Sequence, residues 1–320
     1  PMYHAIFLED LLDLINISRV YSKDIEKTQV SEWVQIAKRM FKWLETMTHP
    51  DGNIAFFNDA ALEIAPNLDE LKKYAKRLQI NHISENFNQI THLPDSGYVR
   101  YNSNYITALL DVALIGPNYQ PGHAHADTLS FELSLFGQRL FVNSGTSEYG
   151  INPVRQYERS TKAHNTVEVN NIDSSEVWSG FRVARRAYPI DLQIEESKNF
   201  VNISSAHDGY KRLNGNIIHK RLWQFSKNSL IIKDQIDGSF KSAYAYFHLH
   251  PSIVLRKNKN CSWKIEMPNG QKVILQVKEG ETFVEKSYYS PEFGKKFNTQ
   301  CLKVALDKRK GACVQILWND

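Results

Sequence analysis

The chain has 320 residues, 42% of them hydrophobic, enough for one large or two modest domains with a sizeable core. Its net charge is +4 with acidic and basic residues interspersed, too mild and too mixed for a nucleic-acid binder. No apolar run approaches the roughly 20 residues a membrane span needs, and the three cysteines (Cys261, Cys301, Cys313) allow no disulfide framework and read as buried packing residues.

The first part of the chain is helical. Pro1-Met2-Tyr3-His4 runs into a helix over 5–17 without a cap or leader, and reads as a chain cut from something longer. Ile6, Leu8, Leu11, Leu12, Leu14 and Ile15 give that helix a broad apolar stripe. A second helix is predicted over 30–47 and stops at the turn chemistry of His49-Pro-Asp-Gly52. The loop Asp51–Asp59 carries two carboxylates that either line a cleft or cap a helix. A third helix follows over 67–78, with Asn67 as its N-cap. Two or three such helices do not close a core alone and look like the end of a larger helical array.

Near Ile90 the period changes to two. Strands are predicted over 97–101, 105–114, 129–136, 139–143 and 166–169. Nine more follow, over 201–205, 217–226, 230–236, 243–250, 262–265, 272–276, 282–287, 302–306 and 312–317. Asn-Gly and Asp-Gly turns separate many of them. The basic run Lys308-Arg-Lys310, just before Gly311, reads as one more hairpin turn. So many strands with little helix between them imply antiparallel stacked sheets. The predicted class is therefore α+β, with a helical part over 1–88 and a large antiparallel β-sandwich over 89–320.

The chemistry centres on Pro121-Gly-His-Ala-His-Ala-Asp127. In an extended chain alternate residues share a side, so His123, His125 and Asp127 can converge. Behind them Leu129, Phe131, Leu133 and Leu135 form an apolar face. Such a cluster is either a hydrogen-bonded structural feature or a metal ligand beside a catalytic base. A long polar connection over 144–163 carries Tyr149, Arg155, Tyr157, Arg159 and Lys162, and leads to a third histidine, His164. A second polar-aromatic stretch, 173–186, carries Glu176, Trp178, Phe181, Arg182, Arg185 and Arg186. Rings beside guanidinium groups suit a sugar acid, the rings for pyranose faces and the arginines for a carboxylate; an ordinary surface loop is the alternative. His248 and His250 read as structural. His49, His82, His92, His207 and His219 read as isolated surface or core residues.

Four segments in this order resemble the heparinase II/III-like polysaccharide lyases, within the alginate-lyase-like superfamily. They are Gly-His-Ala-His-Ala-Asp-Thr-Leu-Ser-Phe-Glu from Gly122, Leu-Phe-Val-Asn-Ser-Gly-Thr from Leu140, Arg-Ser-Thr-Lys-Ala-His-Asn-Thr-Val from Arg159, and Phe-Arg-Val-Ala-Arg-Arg-Ala from Phe181. Tyr3-His4 before Leu8-Glu-Asp-Leu-Leu12 resembles the family's Tyr-His segment. The resemblance implies the C-terminal part of an incomplete α/α toroid followed by the sandwich, with the rest of the toroid upstream as a missing partner segment. It implies β-elimination at a uronic acid of an acidic polysaccharide, in the periplasm or outside the cell. His123 resembles the catalytic histidine and Tyr3 the catalytic tyrosine; His4, Tyr149, Arg155, Arg159, Glu176 and Trp178 are the expected substrate contacts. The carboxylate-neutralising residue is expected upstream, leaving this segment alone weakly active or inactive.

The resemblance also implies a structural zinc site at His125, Asn143 and His164. Asn143 stands where the family usually has Asp and is a weaker zinc ligand. Zinc held by His125, His164 and Asp127 or water is one arrangement, an empty hydrogen-bonded site the other. A different class of function also fits, an idle glycan-binding or surface-polysaccharide assembly protein on the lyase fold. A cupin-type metalloenzyme does not fit, because Leu129 and Ser130 stand where its Glu is needed and Glu132 comes too late.

Overall fold

The computed structural model describes residues 1–21, 23, 25–81, 87–259 and 261–319. The helices are α1 (Met2–Val20), α2 (Lys27–Thr46) and α3 (Leu68–Arg77), with a short α4 (Pro153–Glu158) further on. On α1, Leu8, Leu12 and Ile15 recur at helical spacing and pack with Phe41 and Leu44 of α2 and Leu71 and Ala75 of α3. Asn67 caps α3 through a capping box with Glu70. The other side of α1 stays apolar and bare: Phe7, Leu14, Ile17 and Val20 are exposed.

The strands form three main sheets in which every ladder is antiparallel. A five-stranded meander runs from Ile90–Leu93 to Gln138–Phe141. An eight-stranded sheet has Val254–Lys259 at one edge and Pro189–Glu196 at the other. A four-stranded sheet orders Glu281–Tyr289, Phe297–Ala305, Ala243–His248 and Val167–Val169. One continuous core joins all three, with Phe131, Phe141, Trp223 and Phe247 meeting edge-on at its centre. The fourteen predicted strands are present, with shifted ends. Five strands among the described residues escaped the pattern: Ile90–Leu93, Pro189–Glu196 and Val254–Lys259, each the edge of its sheet, and the two-residue strands Val177–Trp178 and Arg182–Val183, which pair only with each other. Edge strands are short or carry charge on the unpaired side, which removes the clean alternation.

Other expectations need correction. The stretch over 121–130 is irregular, and the strand begins only at Phe131. Leu129 has φ 63°, a turn that breaks the extended run. The connection over 144–163 holds α4, started by Asn152 as N-cap and Pro153 in the first turn. Cys261 is exposed rather than packed. His207 and His219 are neighbours across a strand pair, not isolated, while His82 lies outside the described residues.

Helices and sheets are joined by a buried polar cluster. His49, just after α2, bonds Glu132 through Nε2 at 3.0 Å and Ser134 through Nδ1 at 2.7 Å. Glu132 also accepts from the Phe56 and Asn143 amides. Arg139 reaches back to Asp51 and to the carbonyls of Asn53 and Ile54. Each polar atom so paired fixes the loop 51–62 against the five-stranded sheet, because leaving one unpaired in the interior costs about 1–3 kcal/mol.

Candidate active site

Asp59 closes the loop 51–59 and is the hub of the site. Its backbone amide donates to the carbonyl of His123 at 3.0 Å. Its carboxylate accepts from His123 Nδ1 at 2.8 Å and from His125 Nε2 at 2.9 Å. Arg155, fully buried on α4, grips both oxygens of the same carboxylate. Burial pushes the Asp59 pKa up, but the hydrogen bonds from His123, His125 and Arg155 overcome it and hold the group well below the usual carboxylate range. A carboxylate on Nδ1 fixes the His123 tautomer and leaves the Nε2 lone pair free. The His123 side chain is 43% exposed, so that lone pair is available to a ligand.

Tyr3, on the first turn of α1, leans over His123 with ring centroids 4.6 Å apart. The two rings thus touch, rather than facing one another across a groove of sugar width. Tyr3 Oη shares a hydrogen bond of 3.1 Å with Tyr149 Oη. Tyr149 packs edge-on against Phe181 and Phe293, and Arg155 lies 5.0 Å beneath its ring. Burial raises the Tyr149 phenol far above its ordinary pKa, and the bond to Tyr3 adds to that. Phe181 meets His123 edge-on at 5.7 Å, from the small hairpin Val177–Trp178 and Arg182–Val183. The result is an imidazole and a phenol in contact, walled by half-exposed aromatic rings suited to sugar faces.

Behind His123 lies a set that fits a metal. Ligand atoms of His125, Asp127 and His164, all buried, lie within 4.8 Å of one another. His125 donates its Nε2 proton to Asp59, and His164 donates its Nδ1 proton to the Ser160 carbonyl at 2.8 Å. The two remaining nitrogens, His125 Nδ1 and His164 Nε2, face each other at 3.0 Å, each carrying a lone pair. Two lone pairs at that distance repel unless a cation lies between them. Oδ2 of Asp127 is buried with no hydrogen-bond partner. Burial lowers His125 and His164 to a pKa of about 4, so both stay neutral, the ligand form. Burial and then the neighbouring carboxylate of Asp127 push Asp111 well up, a repulsion a cation relieves.

The His207–His219 pair is a useful contrast. His219 Nε2 donates to Asp234, but His207 Nδ1 accepts from the Gly209 amide. His207 Nε2 therefore carries a proton and donates to His219 Nδ1 at 3.1 Å. Every atom of that chain is satisfied without a metal.

The other expected site residues are placed differently. Asn143 donates its side-chain amide to the Phe56 carbonyl and its Oδ1 accepts from the Asn165 backbone amide, while Asp127 lies with the two histidines in the buried set. His4 turns away, bonding the Met40 carbonyl at 2.9 Å and stacking on Trp43. Arg155 and Arg159 are fully buried; the first serves Asp59, and the second binds the carbonyls of Ala124, Ser179 and Arg182, tying the hairpin to the segment before His125. Neither offers a guanidinium face to a substrate carboxylate. Glu176 pairs with Arg185 at the foot of the hairpin, and Trp178 is exposed on its arm. Sequence reading left Asp59 between lining a cleft and capping a helix. Nothing local links it to His123, and its two-carboxylate loop was the one available signal.

Three packed helices, then stacked antiparallel sheets, with an imidazole–phenol pair where they meet, define a helix-plus-sandwich chain with its site at the junction. The chain belongs to the heparinase II/III-like family: the family's C-terminal region, described as "Heparinase II/III-like, C-terminal", matches residues 88–317. A heparin-sulfate lyase of Bacteroides stercoris is 22% identical over 333 aligned residues, covering 98% of this chain and 44% of that protein. A heparan sulfate lyase of Pedobacter heparinus superposes with a TM-score of 0.77 at 17% identity, over 99% of this chain and 51% of its own. A heparinase III structure gives 0.77 at 14% identity, over 99% and 53%. The chain thus spans about half the length of these relatives, and at such identities the structural likeness shows the fold.

Proposed function

We propose that this chain forms part of a polysaccharide lyase that cleaves a uronic-acid-containing glycan by β-elimination, with His123 and Tyr3 handling the protons. The observation that carries this reading is the contact between the Tyr3 and His123 rings, with His123 oriented by Asp59. In β-elimination the base removes the C5 proton, the electrons form the C4–C5 double bond, and the C4–O bond breaks. The proton lost and the oxygen that leaves sit on adjacent carbons, so base and acid must lie within a few ångströms of each other, as these two rings do. The Nε2 lone pair of His123 suits the base. The Tyr3 hydroxyl can donate to the leaving oxygen, with Tyr149 as its hydrogen-bond partner.

In this reading neither Arg155 nor Arg159 neutralises the substrate carboxylate, since both are committed internally. The bare apolar stripe of α1 suits a helical neighbour. That same commitment favours a second reading, a glycan-binding protein without turnover. Zinc, held by His125, Asp127 and His164, would supply a fixed positive charge that pins the segments flanking His123. We place the protein in the periplasm or outside the cell.

The test uses the whole protein with His123→Ala and Tyr3→Phe. Both lose nearly all formation of unsaturated product while keeping wild-type circular dichroism and unfolding temperature. Retained turnover in either variant removes that residue from the mechanism, and a wild-type protein that binds acidic glycan without forming product establishes the second reading.

A further inference from the structure

A depression of about 510 Å³ lies at the foot of the hairpin that carries Phe181, lined by Asn118, Arg185, Arg186, Tyr188, Asp208, Lys211 and Arg212 among others. Four of these side chains are cations and one is an acid. Three of the cations are held rigidly. Arg186 donates to the Ile115 and Asn118 carbonyls and to Asn118 Oδ1. Arg212 donates to the carbonyls of Asp173, Ser174 and Gly209. Arg185 is matched by Glu176. Neutral carbonyls hold a guanidinium in place without cancelling its charge, so Arg186 keeps most of its own, whereas Arg212 also lies 3.9 Å from a Glu176 carboxylate oxygen that Arg185 already engages. Lys211 is exposed. Tyr188, 48% exposed, adds a ring at the rim. A fixed Arg186 and an exposed Lys211 beside an exposed ring match an oxyanion on a sugar.

The depression is tied to the catalytic pair by two short stretches of chain. Asn118 and His123 share one loop, and Phe181, which packs on His123, is four residues from Arg185. At about 3.3 Å per residue the second stretch spans at most roughly 13 Å. We infer that this basin is a distal subsite that binds a sulfate ester or carboxylate of the same acidic chain, a few sugar units from the bond that breaks. The inference rests on the lyase reading above and adds a place where chain length is sensed.

The experiment measures binding of a heparan sulfate octasaccharide and a disaccharide to the whole protein by calorimetry, in a His123→Ala background that prevents turnover. Lys211→Glu combined with Arg186→Gln is expected to weaken the octasaccharide tenfold or more and leave the disaccharide unchanged. Lys211→Gln alone, at an exposed side chain, is expected to weaken it about threefold and guards against misfolding of the double variant. A desulfated octasaccharide separates the two oxyanions: a gap between wild type and variant that persists assigns the carboxylate, and one that vanishes assigns the sulfate ester. Octasaccharide affinity within twofold of wild type in the double variant overturns the subsite while leaving the lyase reading intact. Absence of octasaccharide binding by the parent protein overturns both.

Discussion

Asp59→Asn separates the two tasks of the hub carboxylate. The amide keeps the shape but loses the charge, and its NH2 group confronts N–H donors from His123, His125 or Arg155. Arg155, fully buried, is then left without its counter-charge. Breaking a buried ion pair from one side costs about 3–5 kcal/mol. His123 also loses the acceptor that holds its Nδ1 proton, so the Nε2 lone pair is no longer guaranteed. General acid–base help of this kind is worth about 10²–10⁴-fold in rate. The assay is product formation by the whole protein alongside urea unfolding. Adding Arg155→Met removes the stranded cation and should restore much of the stability, since a buried pair replaced by apolar groups is often near neutral. It should restore none of the turnover. Turnover within tenfold of wild type in Asp59→Asn, or its recovery in the double variant, refutes the assignment.

Three further outcomes are expected of other buried groups. Buried His248 is lowered to a pKa of about 4 from 6.5, chiefly by desolvation. The unfolded chain takes up a proton below about pH 6.5 that the folded one refuses, so this residue destabilises the fold by up to roughly 3 kcal/mol as pH falls to 4. His248→Gln should lessen the fall of urea-unfolding free energy across that window, which other buried histidines share; an unchanged slope counts against it. Asp127→Asn should reduce zinc retained after dialysis, read by elemental analysis, and lower the unfolding temperature of the zinc-loaded protein toward that of the chelator-treated one; equal zinc content in variant and wild type rejects the ligand set. Phe131→Ala, at the centre of the common core with 0% exposure, should cost about 3–5 kcal/mol in unfolding free energy, and a loss under 1 kcal/mol would place the core elsewhere.

Periodicity carried most of the fold, because interior strands such as Ile218–Ser226 and Ala312–Trp318 bury alternate residues. It failed at the sheet edges, where Val254–Lys259 buries only Leu255. The polar heptapeptide around His123 marked the site, and the resemblance placed Tyr3 beside it. What could not be read were contacts between distant segments. Asp59 meets His123 over 64 positions, and Arg155 meets Asp59 over 96. Residue type misled as well: Arg155 and Arg159 suggested carboxylate recognition, yet burial commits them to an internal carboxylate and to backbone carbonyls. The metal question turned on tautomers, which only the outer partners Asp59 and Ser160 decide.

The proposed acid and base come from distant parts of the chain, the phenol on α1 and the imidazole on the segment leading into the sheets. They meet only while the loop 51–62 stays seated on Glu132 and Arg139. Turnover therefore reports on that seam. Mild denaturant, or a lesion such as Glu132→Gln, should abolish the proposed turnover while the sheets still give a native spectrum, so loss of that activity would precede loss of structure.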